Sequence, residues 1–484
     1  MLNYADKHIV LCLRLTAAEI AYQNSSKNYR EARKMTNTKK PSTAMDMTYG
    51  SIPKLLLSFA LPLLLGNIFQ MFYNTVDVLV VGNFVGKEAL AAVGSTAHII
   101  NVAVFFFNGL SIGAGVVISR FYGAHDQKML HTSIETTIAM TLVCCVFFTV
   151  AGVPLVPQML RLMSTPDDVM AAATEYLRIY FGGISGLMFY NMGSGILRAV
   201  GDSKRPLYFL IFSSILNIVL DLFFVIVLHL GIAGVGYATV LSQFISAALI
   251  FYLLLTTKDV YRFSFRDMTI DLTILGQIFA IGLPAALQSM FTAFSNVFVQ
   301  GYINSFGSST MAGWSCYGKL QQFVFLSVHS MANAATTFVS QNIGAQQENR
   351  ADKGTWTALW MSDVITAITA LLLFIFAAPA TSLFTPDQDV VSYGVLFMRT
   401  NILFMVFNSV NHVLAGSLRG RGDSKGPMII MLVSFVLLRQ LYLYVGSRLT
   451  ASIYIVCFAF PMGWVACCLL ETGYYLLRYR RKAS

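Results

Sequence analysis

Two aspartates stand in the middle of long apolar stretches, Asp77 within YNTVDVLVVG and Asp221 within LNIVLDLFFV. An ionised side chain at the centre of a membrane span costs ~2.5–3.5 kcal/mol on insertion scales, so an acid there is a functional candidate by default. Asn217 precedes Asp221 by one helical turn, which puts both side chains on one face. Two carboxylates sharing a poorly hydrated pocket cannot both ionise cheaply, so one of them keeps a proton. The same carboxylates, with the amide oxygen of Asn217 and the hydroxyl of Thr239, equally supply hard oxygen ligands for Na⁺. The residues leave H⁺ and Na⁺ both open. A bland reading, in which Asp221 only hydrogen-bonds a neighbouring helix, loses force because a second mid-span acid occurs in the same half. Pro62, fifteen residues before Asp77, removes a backbone donor and predisposes its span to bend.

The elements that must carry these groups follow from composition. Of 484 residues, 56% are hydrophobic and 12% charged, where a soluble chain carries about 25% charged residues. Apolar runs of about 20 residues, long enough to cross ~30 Å of hydrocarbon, recur from Ile52 onward. The fold class is therefore an all-α polytopic membrane protein. The seven cysteines are odd in number and lack metal-ligand spacing, so they read as small core residues.

A repeat fixes the arrangement. Leu197–Pro206 reads LRAVGDSKRP and Leu418–Pro427 reads LRGRGDSKGP, 221 residues later. Leu61–Pro62 recurs as Leu283–Pro284, Gly123–Ala124 as Gly344–Ala345, and Arg178 as Arg399. Twelve spans are expected: 53–82, 89–120, 133–156, 171–197, 206–228 and 233–256, then 273–303, 309–340, 355–378, 389–417, 427–446 and 450–477. Six spans return the chain to its starting side, so the two six-helix bundles run in the same direction and their pseudo-twofold lies along the membrane normal. The expected organisation is a disordered cytoplasmic leader (1–46), a first lobe (47–256), a cytoplasmic linker (257–272), a second lobe (273–477) and a basic tail (478–484).

Lys and Arg concentrate in alternate connectors, among them Arg198, Lys204, Arg205, Arg419, Arg421 and Lys425, whereas the opposite connectors hold only Lys87, Arg161 and Arg448. The positive-inside rule puts both GDSK connectors and both termini in the cytoplasm. Basic residues scattered between spans make no nucleic-acid footprint. No Walker-type loop and no nucleophile motif appears, which argues against ATP coupling and against an enzyme.

Over Asp46 to about Leu477 the chain resembles the multidrug and toxic compound extrusion (MATE) transporters. YNTVDVLVVG with Pro62, the paired GDSK connectors, SSILNIVLDLFFV and GIAGVGYATVLSQ carry the resemblance. It implies two six-helix lobes about a central cleft, exporting organic compounds by antiport with Na⁺ or H⁺ and needing no cofactor. It also implies a cation site on Asp77, Asn217, Asp221 and Thr239, with Gln70, Tyr73, Tyr176 and Asn191 lining the same lobe's cavity. A bacterial source, a plasma-membrane location, a small-molecule substrate and a monomer in the bilayer are part of that expectation.

The second half departs from some branches of the family. At the same offset Asn217 maps to Leu438 and Asp221 to Tyr442, and Thr292 and Asn408 stand where some relatives carry acids. Lys319 and Arg439 lie inside spans. Facing the cleft, they would favour an anionic or zwitterionic substrate; otherwise they snorkel or pair with a carbonyl. A flippase or exporter of lipid-linked or polysaccharide precursors is the alternative, and it would want a larger basic cavity.

Overall fold

A computed structural model describes residues 44–479, apart from 164 and 451 and the side chain of Asp267. The expected leader and tail lie outside the described residues, except for 44–46 and 478–479. The first repeat folds as α1 (Ile52–Val80), α2 (Lys87–Gly123), α3 (Gln127–Leu162), α4 (Asp167–Gly182), α5 (Ile184–Ala199), α6 (Lys204–Leu222) and α7 (Gly231–Thr256). The second folds as α8 (Leu272–Asn304), α9 (Ser308–Gly344), α10 (Glu348–Ile375), the short α11 (Ala377–Ser382), α12 (Gln388–Asn401), α13 (Met405–Gly420), α14 (Lys425–Met431), α15 (Arg439–Leu449) and α16 (Ile453–Tyr479).

Among the described residues, eleven helices are long and apolar enough to cross a membrane. The remaining expected span, 171–197, is divided: α4 and α5 are 16 residues each and meet at Gly183. Its second-repeat counterpart passes from α12 to α13 through one 3₁₀ turn, Ile402–Phe404. Wider π turns, which occur preferentially at functional positions, fall in three places. One continues α1 over Val81–Val85, one continues α6 over Phe223–Val227, and one joins α14 to α15 over Leu432–Leu438. The first begins four residues after Asp77 and the second two residues after Asp221.

Local chemistry sets the helix starts. Asp126, Asp271 and Asp387 accept hydrogen bonds from the first-turn amides of α3, α8 and α12, satisfying groups that a helix leaves unpaired. Both GDSK connectors make one turn twice: Gly201 and Gly422 each have φ +87°, a conformation glycine adopts without a Cβ clash. Asp202 then accepts the amides of Lys204 and Arg205, and Asp423 that of Gly426. Pro206 and Pro427 fall in the first turn of the helix that follows, where their missing N–H costs nothing. Turn chemistry thus accounts for much of the decapeptide, and ion pairs add to it. Arg205 pairs with Asp202 at 3.4 Å, and Arg478 with Asp423 at 3.5 Å.

Within the first lobe α1 packs on α6, and α7 on α4, α5 and α6; within the second, α9 packs on α10, α12 and α13, and α13 on α16. The lobes meet mainly through α2 against α8 and α9. Near the GDSK connectors the contact is symmetric. A Cβ on Gly123 would sit 2.0 Å from the carbonyl oxygen of Gln341, and one on Gly344 would sit 1.9 Å from that of Arg120. Gly123 and Gly344 are repeat mates, as are Arg120 and Gln341, so the pseudo-twofold passes through this crossing. Ser340 Oγ donates to the Val116 carbonyl at 2.7 Å, and Gln341 Nε2 to that of Ala199 at 3.0 Å. The GDSK end is closed by backbone contact.

Candidate functional site

Four helices of the first lobe converge on the two aspartates. Asp77 and Tyr73 come from α1, and Asn217 and Asp221 from α6. The Asp77 carboxyl lies within hydrogen-bonding reach of both the Asp221 carboxyl and the Tyr73 hydroxyl. Tyr176 and Tyr180, one turn apart on α4, flank the acids with their rings 6.4 Å from each other. The Tyr180 hydroxyl reaches Gln243 on α7, one turn beyond the buried Thr239. Asp221 is 0% exposed and Asn217 1%, whereas Asp77 is half-buried.

The polar bookkeeping of this cluster does not close. As bare carboxylates, Asp77 Oδ1 and both oxygens of Asp221 are buried facing no donor, and the oxygen and nitrogen of Asn217 are buried without a partner. Buried polar atoms almost always have partners, so three neighbouring side chains with five orphaned atoms mark a place for something the chain does not supply. Hard oxygens of this kind suit an alkali cation or a shared proton. No cluster of three or more His, Cys, Asp or Glu side chains able to hold a metal occurs among the described residues.

A family model described as MatE matches the chain twice, over residues 62–223 and 284–445. The chain belongs to the MatE family. The two matches are displaced by one repeat, so each lobe is one family unit. Among curated relatives, the chain is 32% identical over 396 residues to the probable multidrug resistance protein YpnP of Bacillus subtilis (strain 168), covering 82% of this chain and 88% of that one. It is 26% identical over 457 residues to the probable multidrug resistance protein YoeA of the same organism, covering 93% and 98%. A solved structure of a multidrug resistance MATE family transporter of the MOP superfamily, in an outward-facing conformation, superposes with TM-score 0.86 at 23% identity, covering 92% of this chain and all of the other. The MatE family fold is thereby established for this multi-pass membrane chain: twelve spans in two six-helix lobes.

The remaining expected residues divide between those joined to the cluster and those apart from it. Gln70 is exposed on the α1 face that Tyr73 and Asp77 share. Asn191 instead spends its amide on the Leu187 carbonyl at 2.9 Å, and its own carbonyl accepts from Ser111 at 3.0 Å. Pro62 is buried inside α1, four turns before Asp77. A cavity of about 570 Å³ lined by Asp167, Glu175, Arg178 and Tyr237 opens on a different face of α4 and shares no residue with the cluster.

In the second lobe, Lys319 is exposed with its ammonium 5.5 Å from the centre of the Phe384 ring. Arg439 is 2% exposed. Its Nη2 donates to Ser295 Oγ at 2.6 Å and Asn296 Oδ1 at 2.9 Å, and its Nε to the Phe435 carbonyl at 3.1 Å, with Phe460 stacked at 4.8 Å. The carbonyl-paired alternative describes Arg439. Asn408 is buried beside the Met405 sulfur, and Thr292 bonds its own helix at Gln288.

Sequence reading missed Tyr180, Gln243 and one further carboxyl. Glu471 on α16 is 0% exposed, receives only the Cys467 thiol at 3.8 Å, and is attracted by Arg419, which donates to Gln288. The i, i+4 spacing of Tyr180 behind Tyr176 was the available signal for the first. Glu135 on α3 is buried and accepts the Thr269 hydroxyl at 3.0 Å.

Proposed function

We propose that this chain is a secondary active efflux transporter of the plasma membrane, exporting organic compounds in exchange for inward Na⁺ or H⁺. The observation that carries the reading is the contact between Asp77 and Asp221 beside an Asn217 with no partner of its own. Two carboxylates so placed repel each other unless a proton or a cation lies between them, so the occupant changes the preferred packing of α1 against α6. Each helix passes into a wider turn just beyond its acid, where the hydrogen-bond ladder is already perturbed. Thr239 and Asn217 supply neutral oxygens to a cation; Tyr73, Tyr176 and Tyr180 supply apolar bodies with hydroxyl tips at the edge of the cluster. Pro62 leaves a missing hydrogen bond about which α1 can bend.

In this reading the GDSK end faces the cytoplasm, as the charge bias requires, and its closure makes this the outward-open state. Export then consists of alternate opening of the two ends of the cleft between lobes. The names of the relatives, YpnP and YoeA as probable multidrug resistance proteins, support drugs or other xenobiotics as the substrate class. The test is efflux from oriented vesicles under separately imposed Na⁺ and proton gradients. Asp77→Asn and Asp221→Asn should each abolish the response to the coupling gradient. Ion-coupled efflux at the wild-type rate in both variants would remove the mechanism.

A further inference from the structure

Residues 44–50 precede α1 and lie across the closed end of the molecule. Met47 is 0% exposed and packs with Leu56 and Phe59 of α1 against Phe338 and Val339 of the second lobe. Its N–H donates to Gln341 Oε1 at 2.8 Å. Its carbonyl accepts Asn342 Nδ2 at 3.2 Å and the Nε and Nη2 of Arg350 at 3.3 and 3.2 Å. All of these partners belong to α9 and α10. The Gly50 carbonyl likewise accepts Arg350 Nη2 at 2.9 Å, whereas Met45 and Asp46 also reach the first lobe. The Met45 carbonyl lies where a Cβ on Gly201 would be 2.1 Å away, and the Asp46 carboxylate faces His125 at 3.7 Å. Gln341, which holds the strap through Oε1, reaches the first lobe at Ala199 through Nε2.

The repeat contains a control. Asp46–Met47–Thr48 recurs 221 residues later as Asp267–Met268–Thr269. The second copy also crosses between repeats, since Thr269 donates to Glu135 and the Asp271 amide donates to Thr136 at 3.1 Å. Met268, however, is 42% exposed. One tripeptide thus buries its methionine at the lobe junction and the other leaves it in the open.

We propose that residues 44–50 are a gating strap, and that seating of Met47 sets the balance between the closed and open states of the GDSK end. The proposal rests on the alternating-access reading above. Opening that end separates α2 from α9, and the strap is bonded to both sides, so one set of its contacts must break. Either Met47 leaves the second-lobe cluster, exposing a fully buried side chain and leaving the Gln341 amide oxygen, the Asn342 amide nitrogen and the Arg350 guanidinium without it, or Met45 and Asp46 leave the first lobe. Met47 is therefore a positioning residue of the transport cycle: it touches neither ion nor substrate, and acts through the gate. Since α1 carries the strap at its start and Asp77 beyond Pro62, the ion site and the gate lie on one helix.

The test is amide hydrogen exchange of the full-length chain in lipid nanodiscs, followed at residues 117–124, 199–203 and 338–345. Met47→Gly should raise exchange there by about tenfold or more, as loss of a buried side chain frees the gate to open. Met47→Leu should restore protection, and Met268→Gly should leave it unchanged. Arg350→Gln, which keeps the methionine, should raise exchange in the same peptides by a smaller factor, so a folding defect at Met47 does not decide the matter. Wild-type exchange at these peptides in both Met47→Gly and Arg350→Gln would overturn the strap, as would an equal rise along every helix. Vesicle efflux is measured in parallel. A strap that responds in a chain without ion-driven efflux leaves the gate standing and removes only the antiport reading.

Discussion

The α1–α6 pair of the first lobe and the α8–α15 pair of the second are built by one repeated sequence and hold opposite charge. The first holds the half-buried Asp77 and the buried Asn217 and Asp221 with atoms left unpartnered; the second buries Arg439 against Ser295, Asn296 and a carbonyl. A buried charge satisfied by neutral dipoles is a finished structure, whereas orphaned carboxylates await an occupant. The Gly123 and Gly344 crossing, by contrast, is the same on both sides. Duplication has kept the crossing symmetric and let the interiors diverge.

Substitutions that treat the lobes in matched pairs sharpen this contrast. The largest effect is expected from Asp221→Asn, which should lower gradient-driven efflux by at least about tenfold, while its repeat mate changed as Tyr442→Phe should transport at the wild-type rate. Equal losses in both would break the comparison. Next comes Asn217→Leu, which installs the residue found at Leu438: the half-saturating concentration of the coupling ion should rise several-fold, about 1 kcal/mol of binding, in an ion titration of efflux. Gly123→Ala and Gly344→Ala should each cost ~1–3 kcal/mol by overpacking at the crossing. Thermal unfolding in detergent should show the two shifts alike, and a large shift in one alone would argue against a symmetric gate. The smallest effect on efflux is expected from Arg439→Leu, which should cost ~1–2 kcal/mol of stability through lost packing and the lost bond to the buried Ser295, with the ion dependence of efflux unchanged.

Much of the architecture was legible because lipid is an unforgiving solvent. Long apolar runs, a 221-residue echo and skewed Lys/Arg connectors are coarse signals that tolerate no alternative fold. The acids were legible for the same reason: a mid-span carboxylate is too costly to keep idle. Gln243 was not, since a glutamine in a span is cheap and carries no spacing signature, and Tyr180 announced itself only by lying four residues after Tyr176. Arg419 was read as a connector residue because it falls inside the repeated decapeptide, yet it is buried at 8% exposure. The break in the fourth span escaped too. The run 171–197 is long enough to span despite Glu175 and Arg178, and the steric press of Gly183 against Val240, where a Cβ would lie 2.2 Å from that side chain, is a tertiary fact. The DMT echo was present in the sequence, but three residues gain meaning only when one copy is seen to be buried.

The break at Gly183 divides responsibilities along one crossing of the bilayer. Tyr176 and Tyr180 ride the half that enters from Asp167, and Asn191 and Arg198 ride the half that runs down to the GDSK turn. A continuous rod would transmit any tilt of one end rigidly to the other. Two half-rods joined at one residue can be re-aimed separately, so the aromatic wall beside the two aspartates and the helix that leads into the closed GDSK end need not shift in unison.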